Sequence, residues 1–236
     1  MRDIDFVEGE IYHIFTRGVE KRTIFEDDFD RRRFATILFY LNDASGKPAR
    51  QMQNSVPTLT DSDKEPMVEI LSWCFMPNHF HLLVKELKEG GISAFLHRLQ
   101  VSHALYFNTK YKRSGPLFSG KFKAVHIGGD KHFTHVSRYI HLNPLELFDP
   151  MWKERGYVED KVGAEKFLKE YKWSSLPDYL EQGTKFASLI DKSMVMEYFD
   201  NSVEDYWKFI SEWINRPKSE LGSESEPSSD LDLEGN

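Results

Sequence analysis

The sequence predicts an α+β fold: an antiparallel sheet with flanking helices, followed by a helical C-terminal extension. Three observations predict it. Through residue 143, short β-rich runs interleave with helical stretches in the order strand, helix, strand, strand, helix, strand, helix. Two of those strands are separated only by Pro77-Asn78, a turn that makes them a hairpin. Beyond residue 150 the apolar spacing is mostly helical, with Trp173, Tyr179, Phe199, Trp207, Phe209 and Trp213 as anchors.

Each element has a local reason. Ile11 to Arg17 reads as a strand that ends at Gly18. Asp27 or Asp28 can cap a helix running to about Leu41, with Phe29, Phe34, Ile37, Leu38 and Leu41 at helical spacing. Residues 42–67 are polar and rich in Ser, Pro, Gln and Asp, which predicts a long loop. Val68 to Met76 and His79 to Lys85 form the hairpin. Gly90-Gly91 breaks the chain before a helix from Ile92 to Tyr106, and Lys110 to Gly115 is a basic loop. Phe122 to Ile127 is another strand, and Asp130 is the expected N-cap of a helix that stops before Pro144. Further helices are expected at about Ala164 to Glu170, Pro177 to Glu181, Ser193 to Phe199 and Val203 to Asn215. This divides the chain into a domain over 1–150, a helical extension over 151–216 and a disordered acidic tail over 217–236.

Composition narrows the function classes. Of 236 residues, 40% are hydrophobic and 14% aromatic, enough to build a core. The single cysteine, Cys74, excludes an intramolecular disulfide framework and a cysteine-based zinc site, and fits a reducing cytoplasm. Its apolar surroundings predict a buried structural thiol. No apolar run reaches the length of a membrane span, and the N-terminus lacks signal-peptide character. The net charge of −7 hides a polarity. From Lys85 to Arg138 ten basic residues face only Glu86, Glu89 and Asp130, whereas Glu220, Glu224, Glu226, Asp230, Asp232 and Glu234 load the tail. That pattern fits a basic binding face and equally an ordinary charged surface.

The chemistry concentrates at His79-Phe80-His81. Strand alternation points both imidazoles to one face and Phe80 to the other, so the pair can share a metal ion. A pair of structural histidines at a strand end is the plainer alternative. Downstream, Tyr139 and Asn143 are four apart on one helical face. A phenol can attack a phosphodiester and hold the phosphate covalently, and the amide oxygen of Asn143 can help hold a metal. Taken alone, these two residues also fit a half-buried helix aromatic and a pre-proline helix terminus.

Together the two halves resemble the single-tyrosine HUH transposases (IS200-like), in the REP-associated tyrosine transposase branch. The resemblance also includes Tyr12 to Gly18, Ile24 to Asp27, Trp73 to Val84, Phe107 to Tyr111, Gly115 to Lys123, Arg138 to Pro144 and Tyr171 to Ser175, an ordered series over roughly residues 11 to 180. It implies a ferredoxin-like sheet, the HUH endonuclease fold, with the histidine strand central and the tyrosine on a following helix. It implies that His79, His81 and Asn143 bind a divalent cation, Mg or Mn, and that Tyr139 is the nucleophile. The implied reaction is cleavage and rejoining of single-stranded, hairpin-containing DNA through a 5′-phosphotyrosine bond. Arg17, Arg98, Lys110, Lys112, Arg113, Lys121, Lys123 and Arg138 are the expected DNA contacts, with Tyr106, Phe118 or Phe122 stacking bases. His126, His132, His135 and His141 are expected to be structural or surface residues. A monomer is favoured over a homodimer. Two other readings remain: a catalytically silent nucleic-acid-binding regulator of the same fold, and a metal-dependent hydrolase with water as nucleophile. Residues 42–67 and the acidic tail depart from the family pattern.

Overall fold

The computed structural model describes residues 4–45 and 64–215. Most of the expected loop and all of the acidic tail lie outside the described residues. The strands are β1 (Ile11–Arg17), β2 (Val68–Met76), β3 (His79–Glu86) and β4 (Lys123–His126). The helices among them are α1 (Asp28–Leu41), α2 (Gly91–Lys110) and α3 (Asp130–Leu142), which reproduces the expected order. The sheet runs β2-β3-β1-β4, antiparallel throughout, so the histidine strand β3 is interior. The architecture is α+β, as the interleaving required.

Alternation divides the sheet into two faces. Tyr12, Ile14, Phe80, Leu82 and Val84 share a buried cluster with Phe34, Ile37 and Leu38 of α1 and with Phe95, Leu96 and Leu99 of α2. Cys74, Met76 and Leu83 share the other cluster with Val136 and Ile140 of α3. A bulge between Ile70 and Ser72 shifts β2 by one residue. Val68 and Ile70 before it, and Trp73 and Phe75 after it, therefore serve the same core.

Asp27 caps α1 in a reciprocal capping box with Asp30. Asp30 is itself fully buried and accepts from Tyr106 Oη (2.6 Å), Tyr111 Oη (2.8 Å) and Lys110 Nζ (2.6 Å). Burial pushes its carboxyl pKa up, but those donors outweigh it and hold the pKa below the usual value. Two expectations differ here. Phe29 is 52% exposed, because it falls on the solvent side of α1 rather than on its core stripe. Asp130 is the first residue of α3 rather than its cap, since Gly129, at φ 81°, turns the chain into the helix.

After α3 come α4 (Leu145–Phe148) and, over the residues expected to form the extension, α5 (Trp152–Arg155), α6 (Lys161–Glu170), α7 (Leu176–Tyr179), α8 (Ser193–Met196) and α9 (Val203–Asn215). The first two were not anticipated. Tyr179, Tyr206, Ile210 and Ile214 join the cluster around α3, so these helices cover the second sheet face.

Candidate active site

His79 and His81 lie on the second sheet face, beneath α3. His79 opens β3 directly after the Pro77-Asn78 turn, and Arg17 is its partner across β1. Both imidazoles are buried, at 2% and 0% exposure. Asn143, immediately past α3, is 1% exposed. Tyr139 is half-buried one helical turn earlier, and its ring meets that of His81 edge-on at 5.5 Å between centroids, within one chain. Residues separated by some sixty positions along the chain thus converge because α3 crosses the sheet over the start of β3.

The hydrogen bonds determine which atoms are free to ligate. Asn78 Nδ2 donates to Lys21 O and turns its Oδ1 to His79, whose Nδ1–H donates to it at 2.6 Å. Asn143 Nδ2 donates to Tyr139 O and turns its own Oδ1 toward His79 Nε2, at 3.3 Å. A neutral imidazole carries one N–H, so His79 Nε2 and Asn143 Oδ1 are two acceptors that converge with no hydrogen between them. His81 Nε2 is buried without a hydrogen-bond partner. Two imidazole nitrogens and an amide oxygen are a donor set that fits a divalent cation. Among the described residues no group of three or more His, Cys, Asp or Glu is arranged to hold a metal.

Electrostatics favour the ligating state. Burial lowers the His79 pKa to about 4, against an opposing pull from Glu146 and the Asn143 contact. Burial lowers His81 well below the usual histidine value, with His79 and His13 adding to the effect. Both rings are therefore neutral at ordinary pH.

Three neighbours escaped the sequence reading. His13 of β1 is fully buried and meets His81 Nδ1 through its Nε2 at 2.9 Å. Lys153 of α5 lies 5.4 Å from the centre of the Tyr139 ring and is ion-paired with Glu146 of α4. Alternation along β1 puts His13 with Phe15 and Arg17, but only the β1–β3 register shows that this face also carries His81. Nothing in the sequence pointed to Lys153.

The expected DNA contacts separate into groups. Arg17 is beside His79, and Lys123, paired with Phe15 opposite His81, is exposed on the same sheet face. Lys112 and Lys121 are exposed in the segment between α2 and β4. Arg113 is half-buried and bonded to Asn108 Oδ1 and Pro116 O. Arg98 and Lys110 belong to α2, across the sheet from the histidines. Arg98 donates to Asp43 O, and Lys110 is held by Asp27 and Asp30. Arg138 departs furthest from the expectation. It is 6% exposed and is stacked against Phe209 and Trp213 of α9, where it anchors that helix instead of meeting solvent. The expected stackers are also committed: Phe118 is buried in the α1–α2 cluster, Phe122 packs on Phe6, and Tyr106 is bound to Asp30 beneath Arg33.

A family model described as "Transposase IS200 like" matches residues 7–143, which is more than half of the chain and ends on Asn143. No curated protein matches the sequence significantly. Among solved structures, "Structure of the REP associates tyrosine transposase bound to a REP hairpin" is similar over 78% of this chain and 86% of that one, with 15% identity and a TM-score of 0.49.

Proposed function

The chain belongs to the IS200-like transposase family, and from that premise we propose that it cuts and rejoins single-stranded DNA through a tyrosine-linked intermediate. The observation that carries this reading is the convergence of the Tyr139 ring on His81 beside two acceptors, His79 Nε2 and Asn143 Oδ1. His79, His81 and Asn143 would hold a divalent cation, magnesium or manganese, which supplies charge neutralisation and polarisation at the scissile phosphate. The Tyr139 phenol loses its proton and its oxygen attacks phosphorus. The bond from phosphorus to the 3′ oxygen breaks, that oxygen leaves as a hydroxyl, and a 5′-phosphotyrosine remains. A second 3′-hydroxyl reverses the step and joins new strands without an outside energy source. Arg17 and Lys123, on the histidine face, would track the DNA backbone at the site, with Lys112 and Lys121 continuing the basic surface. A hairpin-containing strand is the proposed substrate, and one chain supplies every catalytic group.

Incubation of the protein with a 5′-labelled hairpin oligonucleotide and Mn²⁺ tests this. The wild type is expected to release a shortened labelled strand. Tyr139→Phe and His79→Ala should each lose at least about a hundredfold in rate, the scale expected for a nucleophile or an electrostatic stabiliser. Undiminished cleavage by Tyr139→Phe would assign the attack to water and overturn the proposal.

A further inference from the structure

We infer that His13 is a positioning residue for the proposed metal ligand His81, supplying the acceptor that lets Nδ1 carry the proton and leaves Nε2 free to ligate. The inference rests on the cation-binding reading above and extends it to a residue that is neither the proposed nucleophile nor a proposed ligand.

The contact is a linear ring-to-ring hydrogen bond. His13 Nε2 and His81 Nδ1 are 2.9 Å apart, and the rings lie within 14° of one plane. Their centroids are 5.1 Å apart, about the bond length plus the two ring radii, so the rings meet edge to edge rather than face to face. Such a bond needs one N–H and one lone pair, which leaves two arrangements. In the first, His81 Nδ1–H donates to His13 Nε2, and His81 Nε2 presents a lone pair to the site. In the second, His13 Nε2–H donates to His81 Nδ1, and the proton on His81 Nε2 blocks ligation.

The environment sets the balance between them. His81 Nε2 and His13 Nδ1 are both buried without a hydrogen-bond partner. Each arrangement therefore strands one N–H: on His13 Nδ1 in the first, on His81 Nε2 in the second. With that penalty similar on both sides, a cation at His81 Nε2 selects the first arrangement, and the acceptor at His13 Nε2 makes it possible. His79 has its own device, since Asn78 Oδ1 takes the Nδ1 proton. His13 does for His81 what the turn asparagine does for His79. Partners of this kind behind a ligating imidazole are worth about 10–100-fold in metal affinity.

The test is Mn²⁺ binding by the full-length protein without DNA, read as the free-ion signal in electron paramagnetic resonance. His13→Phe removes the acceptor and fills the space. His13→Gln returns a carbonyl oxygen near the position of Nε2. The expected result is wild-type binding, a 10–100-fold weaker Kd for His13→Phe, and recovery to within a few-fold for His13→Gln. Equal affinity in wild type and His13→Phe would overturn the inference while leaving the cation site intact. A wild type that binds no Mn²⁺ would overturn both. Should His13→Phe fail to fold, nitrogen-15 spectra of the Mg²⁺-saturated wild type decide the matter. A proton on His81 Nδ1, with coupling across the bond to His13 Nε2, sustains the inference, and a proton on His81 Nε2 refutes it.

Discussion

The two imidazoles of the candidate site are buried, and amides aim at one of them. Asn78 and Asn143 each spend their NH2 on a backbone carbonyl, so each oxygen is aimed at His79. The sequence alone would place the loss of metal binding near the ordinary histidine pKa of about 6.5. Burial moves that limit downward, with His79 at about 4. The same burial makes the fold acid-sensitive earlier than the ligands are. His13 and His141, at about 3, and His79 and His81 all bind protons less readily when folded than when unfolded. Their contribution is fully present above the unfolded pKa of about 6.5 and declines as pH falls from there toward the folded values. The Tm of the metal-free protein is therefore expected to fall steadily between pH 6.5 and 4.5. The slope reaches about 1.4 kcal/mol per pH unit for each group that remains neutral. A flat profile across that interval would contradict the burial argument.

At the scale of elements, the helix that bears Tyr139 is pinned from behind. Ser137 Oγ donates to Tyr206 Oη of α9 (2.7 Å), and Tyr206 Oη donates to His141 Nδ1 (2.7 Å). His141 Nε2–H donates to Ser175 Oγ (2.8 Å), which also accepts from Trp73 N of β2 (2.9 Å) and donates to Trp73 O. A closed buried chain of this sort ties α3 both to α9 and to the sheet. Tyr206→Phe would strand His141 Nδ1 and one valence of Ser137, at a cost of about 2 kcal/mol or more. For a chain of this size that is a fall in Tm of about 4–8 °C, measurable by calorimetry. An unchanged Tm would show that the chain does not hold α3.

Legibility followed the same scale. The sheet strands and α1, α2 and α3 were readable because each repeats an apolar period or is bracketed by turn residues. The single turns α4 and α5 were missed. The proposed ligands and nucleophile are legible as candidates because His79-Phe80-His81 and Tyr139 to Asn143 are local patterns. His13, Lys153 and Glu146 join the site only through strand register and the path of the extension, which no local pattern records. Arg138 misled for the converse reason: its sequence neighbour Tyr139 faces the histidines, while the arginine, rotated around the helix, serves α9.

Over the whole molecule, the described residues that border the polar segment lie far from the candidate site. Ala44 N donates to Glu65 O (2.8 Å), and the Asn42 side chain bonds Met67 N and both the N and O of Val68. Residues 42–44 and 65–68 therefore meet at one point of the fold. That point adjoins Val68, at the far end of β2 from Met76, which is paired with His79. Eight residue steps of extended chain place it roughly 25 Å from the histidines. Among the described residues no helix is long and apolar enough to cross a membrane. The extension wraps α3 against its own sheet, so the Tyr139 ring meets His81 and His13 of the same polypeptide at 5.5 and 5.8 Å. The central claim is that one chain completes one site. Mixing Tyr139→Phe with His81→Ala in equal amounts, adding hairpin DNA and Mn²⁺, and scoring covalent protein–DNA adducts on a denaturing gel tests it most directly. The account predicts an adduct with the wild type and none with the mixture. An adduct restored in the mixture would show that a phenol from one chain serves the imidazoles of another, and would contradict it.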